Sequence, residues 1–165
     1  MEKQTRNVQL SSSNSVISLQ QGKIPPQALD LEEAVLGAML IDKKGVDTVI
    51  DILQPDAFYK MAHQYIFESI YHLFETSEPI DLLTVSSALR KNNKLEAVGG
   101  QFYLVQLSQK VASSAHIEFH ARIILQKYIQ RSLIKISNEI IENAYKESTD
   151  VFDLLDEAES KIYDV

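Results

Sequence analysis

The sequence predicts an all-α fold: a compact multi-helix globular part followed by a long antiparallel helical hairpin. Three observations lead there. Apolar residues recur at helical spacing along the chain, with no alternating strand-like run and no internal repeat. The stretch Ala115 to Glu147 contains neither Pro nor Gly over 33 residues, roughly 50 Å if it is one helix. Only Ser148-Thr149-Asp150 then separates it from a last helical stretch. A connection that short makes two helices antiparallel neighbours.

Taken in order, residues 1–23 are polar and rich in Ser, Asn and Gln, the composition of a flexible tail. Val16, Ile17 and Leu19 stand within it without any periodic setting. Pro25-Pro26 marks entry into the folded part. A helix is expected over Ala28 to Ile41, with Asp30, Glu32 and Glu33 in its first turn, where negative charge is favourable. Gly37 costs such a helix up to about 1 kcal/mol relative to Ala, so its use is to admit a neighbouring helix. Asp42-Lys43-Lys44-Gly45 reads as a turn, and Val46 to Leu53 as a helix stopped by Pro55. After an aromatic connector, Asp56 to Tyr59, a helix over Met61 to Thr76 offers Ile66, Phe67, Ile70, Leu73 and Phe74 to a core. Asp81 is placed to cap Leu82 to Lys91. Leu95 to Gly100 is a turn with two glycines and a left-handed residue. Gln101 to Gln109 is a short helix.

The long helix follows, capped by Ser113 or Ser114. It carries two apolar stripes: Leu125, Ile129, Leu133, Ile136 and Ile140, and well round the cylinder Ile123, Ile134, Ile141 and Tyr145. One stripe suffices for a surface helix. The second requires the last helix or a partner, so Ile123, Ile134, Ile141 and Tyr145 are candidate subunit or partner contacts. The last helix, Val151 to about Tyr163, sets Asp153, Asp156, Glu157 and Glu159 against Lys161 alone. The long one carries Arg122, Lys127, Arg131 and Lys135 in its middle, a pattern that fits pairing between the two helices or between subunits, or contact with phosphate. The chain thus divides into a tail (1–23), a globular helical part (24–112) and a hairpin (113–165).

A formal charge of −7 argues against a main role in gripping duplex DNA. With no Cys there is no disulfide framework, thiolate metal site or Cys nucleophile. No apolar run is long enough to span a bilayer and no signal peptide opens the chain, so a cytoplasmic location and no membrane partner are expected. None of the five glycines opens a loop ending in Lys-Ser or Lys-Thr, so the phosphate-binding loop of nucleotide hydrolases is missing. No catalytic residue, metal ligand or cofactor is assigned. His116 and His120 share a helix face at metal-ligand spacing but lack a third ligand, and two exposed histidines is the ordinary reading. His63 and His72 stand nine apart on opposite faces, and a phosphorelay histidine is only the minor reading of them. Asp153 and Asp156 read as a solvated acidic face ahead of acid–base catalysts.

Several stretches together resemble the N-terminal part of the DnaB-type replicative helicases. They are Ile24-Pro25-Pro26-Gln27, Ala34 to Met39, Phe58-Tyr59, His63, Ile66-Phe67 and Pro79 to Thr84. Further on come Leu95, Val98-Gly99-Gly100, Tyr103-Leu104, Leu107, Ala121-Arg122-Ile123 and Leu154 to Glu159. The likeness covers about residues 24–165; each piece alone is weak, and their order and spacing make it specific. Ala115-His116-Ile117 departs from it, since the family has Asn where His116 stands. The resemblance implies a non-catalytic collar domain of a ring hexamer that unwinds DNA with ATP and Mg held by a separate ATPase domain. It further implies self-association, as a dimer or a trimer of dimers, and docking of the helicase-binding domain of a DnaG-type primase. A helicase loader is a further implied partner. The family's primase-contact positions fall on Tyr103, Ile134 and Ile140. Two other classes stand beside it: a stand-alone helical nucleic-acid-binding domain using Arg122, Lys127, Arg131 and Lys135, and a helical-bundle enzyme using histidines or carboxylates.

Overall fold

A helix apolar nearly all round belongs in the middle of a bundle, and the first helix takes that place. In the computed structural model, which describes residues 22–111 and 114–165, α1 (Leu29–Ile41) buries Val35, Leu36, Ala38, Met39 and Leu40 on successive faces. The tail residues 1–21, with Val16, Ile17 and Leu19, and the capping candidate Ser113 lie outside the described residues. Around α1 pack α2 (Lys43–Ile50), α3 (Met61–Glu75), α5 (Gly100–Gln109) and α6 (Ile117–Ala144). The α4 helix (Leu82–Lys91) sits on α3 and α5, and α7 (Val151–Tyr163) on α6. All the regular structure among the described residues is helical.

Gly37 does what its position suggests: a Cβ built there would lie 2.2 Å from the Leu107 carbonyl oxygen of α5. The expected turn at Asp42–Gly45 is instead the start of α2. Asp42 is its N-cap, accepting the Lys44 amide at 3.0 Å, and Lys43, Lys44 and Gly45 form the first turn. Turn-type residues at a helix start mimic a loop. Gly45 lies against α6: a Cβ there would approach the Ile117 Cδ1 to 3.0 Å, and that side-chain tip would have to shift by a few tenths of an ångström. A 3₁₀ turn at Pro55–Ala57 leads to buried Phe58, whose ring lies 4.9 Å from that of Phe67.

On α3 the buried line is His63, Ile66, Phe67, Ile70 and Leu73. Phe74, expected with them, lies at the edge of the line and is 38% exposed. The Asp81 cap forms as a full capping box: its carboxylate accepts the Leu83 and Thr84 amides at 2.8 and 2.9 Å, and its own amide donates to Thr84 Oγ1 at 2.9 Å. These amide bonds hold Asp81 below its ordinary carboxylate value. We expect Asp81→Ala to lower stability by about 1 kcal/mol, read as a shifted urea midpoint at unchanged slope. Gly99 and Gly100, at φ +101° and +73°, make the left-handed entry to α5.

The long helix is shorter than expected, 28 residues against 33, or about 42 Å. Its N-cap is His116, whose side chain makes no capping bond, while the Ser114 hydroxyl donates to the Asp42 carboxylate. The residues it buries are Ile117, Ala121 and Ile124. They form a third line, lying between the two stripes read from the sequence, and half-buried Tyr128 continues it. Of the expected core stripe, Leu133 is 41% exposed and the other four are half-buried.

The hairpin forms, with α7 running back along α6 so that Lys161 reaches Glu139 at 2.9 Å. Among the described residues, no basic residue of α6 pairs with an acidic residue of α7. The ion pair has the opposite sense, Lys161 of α7 holding Glu139 of α6 as well as Glu157 at 2.6 Å. Salt-bridge donation from Lys161 lowers the Glu139 value, and Lys161 is itself raised, by Glu157 first and Glu139 second.

Candidate partner interface

The residues expected from sequence to make partner contacts fall in two regions, one in the globular part and one on the hairpin. The first centres on Tyr103, near the start of α5. Its hydroxyl lies 2.7 Å from His63 Nε2 on α3, donates to Glu33 Oε1 on α1 at 3.2 Å, and accepts from Lys60 Nζ at 3.2 Å. The other ring nitrogen of His63, Nδ1, lies 2.6 Å from Glu32 Oε2. Glu32 Oε1 also accepts the Tyr59 amide at 2.7 Å. Outside this row, Lys110 pairs with Glu33. Burial, then the charge of Glu33 and its hydrogen bond, raise the Tyr103 phenol above its ordinary value. The bond from Lys110 lowers Glu33.

Sequence reading missed most of this cluster. Glu32 was assigned to a helix-end charge, yet it is 1% exposed, and His63 is 0% exposed. The signal was present. Glu32 shares a face with Val35, Leu36 and Met39, and His63 with Ile66, Phe67 and Ile70, so two polar residues occupied core positions on different helices. Buried polar groups require partners, and these two are each other's.

Of the hairpin candidates, Ile134 is 45% and Tyr145 70% exposed, while Ile123, Ile140 and Ile141 are half-buried. The last helix buries none of its residues. Val151, Phe152, Leu155, Ile162 and Tyr163 are all more than half exposed, which leaves a large apolar surface on the hairpin. Ile134 lines an open groove of about 960 Å³ together with Ile24, Pro25, Tyr59 and Asn138. Tyr59 and Lys60 are consecutive, so the connector that lines the groove beside Ile134 also carries the ammonium on Tyr103.

The basic residues of α6 are engaged within the chain. Arg122 donates to Glu118 at 2.8 Å, Lys127 to Gln130 at 3.4 Å, and Lys135 stands 4.0 Å from Glu139. Arg131 donates to the carbonyls of Pro26 and Ala57 at 2.8 and 2.6 Å, with its guanidinium over the rings of Tyr59 and Tyr128. Tyr128 bonds Asp56 at 2.9 Å. Arg131 and Tyr128 thus fasten the Pro26 and Asp56–Tyr59 segments to the long helix.

His116 and His120 lie side by side, ring centroids 6.4 Å apart, and His72 is exposed. Among the described residues no group of three or more His, Cys, Asp or Glu is placed to hold a metal ion. Asp153 and Asp156 lie on the exposed face of α7. Among the described residues, no helix is long and apolar enough to cross a membrane.

The described residues thus form an all-helical head with a buried polar cluster and a hairpin that leaves apolar residues exposed. Residues 24–126 match the model of the DnaB-like helicase N terminal domain, and the chain belongs to that family. It is 42% identical over 163 residues to the replicative DNA helicase DnaB of Rhodothermus marinus, covering 99% of this chain and 17% of that protein. It is 38% identical over 143 residues to DnaB of Geobacillus stearothermophilus, covering 87% and 32%. The chain therefore spans less than a third of either relative. The solved N-terminal domain of the DnaB helicase from Mycobacterium tuberculosis superposes with a TM-score of 0.81 at 35% identity, covering 86% of this chain and all of that one. A DnaB-like replicative helicase, solved in a study of its interactions with primase, superposes at 0.67 and 26% identity, covering 83% of this chain and 31% of that one.

Proposed function

We propose that this chain is the collar of a hexameric replicative helicase, joining subunits through its hairpin and docking a DnaG-type primase. The observation that carries the reading is the apolar surface left on the hairpin, where α7 buries nothing and Ile134 and Tyr145 remain exposed. A free-standing helix pair would not keep so many large apolar residues in water. Ile123, Ile141 and Tyr145 belong to the subunit contact in this reading, and Tyr103, Ile134 and Ile140 to the primase contact. The connector shared by Tyr103 and Ile134 supports grouping these two. DNA unwinding, with ATP and Mg, belongs to an ATPase domain of the whole protein, which works in the cytoplasm and meets DNA and a loader as a hexamer. Phosphate contact through Arg131 is disfavoured by its two carbonyl partners within the chain, while Arg122 and Lys135 stay exposed in surface pairs of little strength.

The test is a calorimetric titration with the helicase-binding domain of the cognate primase, at two salt concentrations. Saturable binding is expected, and Tyr103→Ala and Ile134→Ala should each weaken it at least tenfold, about 1.4 kcal/mol. Circular dichroism should show both variants folded. Unchanged affinity in both would remove these residues from the contact. Light scattering should give a mass above the monomer's, falling towards it in Tyr145→Ser.

A further inference from the structure

Three stretches of chain line the groove beside Ile134: the entry segment with Ile24 and Pro25, the connector with Tyr59, and α6. One side chain ties all three together, because Arg131 of α6 donates to the carbonyls of Pro26 and Ala57. The groove is therefore built before anything enters it. What it offers is apolar: Ile24 is 77% exposed, and Tyr59 and Ile134 are exposed as well. Its α6 lining runs from Arg131 to Glu142, about 16 Å along the helix.

The chain itself supplies an occupant of matching length and chemistry. Gly22, just ahead of the lining residues Lys23 and Ile24, has φ +91° and nothing within 4 Å of where a Cβ would stand. Glycine adopts that left-handed conformation without steric cost, so the chain bends there in open space. Residues 7–21, with Val16, Ile17 and Leu19, lie outside the described residues. They carry no charge, and Val16-Ile17-Ser18-Leu19 is their densest apolar stretch. It stands three to six positions before Gly22, a reach of about 10–20 Å for an extended chain, which is the scale of the groove. Extended, it would set Ile17 and Leu19 on one side and Val16 and Ser18 on the other.

We propose that Val16–Leu19 lies extended in this groove, with Ile17 and Leu19 against Ile134 and Tyr59, as a cover that the chain provides for itself. The tether favours this occupant over a free one. A segment held by so short a link competes at an effective concentration of about millimolar, so a contact too weak to retain a separate peptide retains the tail. Its neutrality suits a groove rimmed by both signs, Arg131 and Lys135 with Glu139 and Glu142, since it brings no charge that would need a partner there. The seating rests on the groove and the tail alone and does not require the primase reading. Any partner that reaches Ile134 has first to displace it.

Nuclear magnetic resonance on the whole chain tests it. In a ¹³C-labelled sample, nuclear Overhauser contacts are expected from the Ile17 and Leu19 methyls to the Ile134 methyls and the Tyr59 ring. A mixture of labelled and unlabelled chains, filtered for contacts between the two, should show none of these. With Ile17→Asp and Leu19→Asp combined, the Ile134 and Tyr59 signals should move, while the methyls of the buried Ile124 keep their shifts and report an intact core. Contacts found only between chains would overturn the proposal by giving the groove to a second copy. No contact from either tail methyl, or Ile134 and Tyr59 signals unmoved in the double variant, would overturn it outright.

Discussion

Gly37→Val should leave the chain without a cooperative unfolding transition, and Gly37→Ala should cost about 2 kcal/mol, although Ala is the better helix former. On propensity alone the Ala variant gains up to about 1 kcal/mol. The gain is overridden because the new methyl meets the Leu107 carbonyl oxygen at 2.2 Å, the Leu107 carbonyl carbon at 3.0 Å and Val111 Cγ2 at 2.9 Å. A flexible side chain could rotate away; the backbone of α5 can only move as a body. Overpacking of this kind costs about 1–3 kcal/mol for one added group, and Val adds two more carbons. Urea unfolding followed by circular dichroism measures both. An Ala variant as stable as the parent would show that α5 slides freely on α1.

Glu32→Ala should cost about 3 kcal/mol, the upper end of the range for leaving a buried polar group without its hydrogen-bond partner. The carboxylate is held by the Tyr59 amide, the Lys60 amide and His63 Nδ1, and of these the fully buried His63 is left without its partner once it is gone. Glu32→Gln keeps one accepting oxygen but turns an NH₂ group towards donors, so its loss should fall between the parent and the Ala variant. Denaturant melts at pH 7 give the order. A loss under 1 kcal/mol for the Ala variant would mean that the cluster is not what joins the connector to α1 and α3.

Much of the fold was legible because its signals are local. Asp81 two to three residues ahead of the amides it caps, the Gly99-Gly100 pair, and the short break before Asp150 placed α4, α5 and α7 to within a residue. What failed depended on distant neighbours. Lys43–Gly45 have the composition of a turn, and the closeness of Ile117 to Gly45 inside α2 comes from a helix more than 70 residues further along the chain. On α6 the true core line is apolar for its first half and then passes Lys135, so over the whole length it is weaker than either flanking stripe. For the candidate interface, exposed Ile134 and Tyr145 were readable as surplus apolar residues. The role of Tyr103 in the buried row was not, because its partners lie 40 and 70 residues away along the chain.

The α6 helix begins inside the globular core, at Ile117, Ala121 and Ile124, and continues unbroken into the hairpin. Mechanically it is a lever arm whose short end is clamped. Without Pro or Gly between Ile117 and Ala144 there is no weak point at which the arm can fold. A force applied at the outer end therefore reaches α1 as a torque on those three side chains, resisted further out by Arg131 and Tyr128. Head and hairpin can change their relative angle only by repacking that clamp, and the fold transmits such a displacement instead of absorbing it.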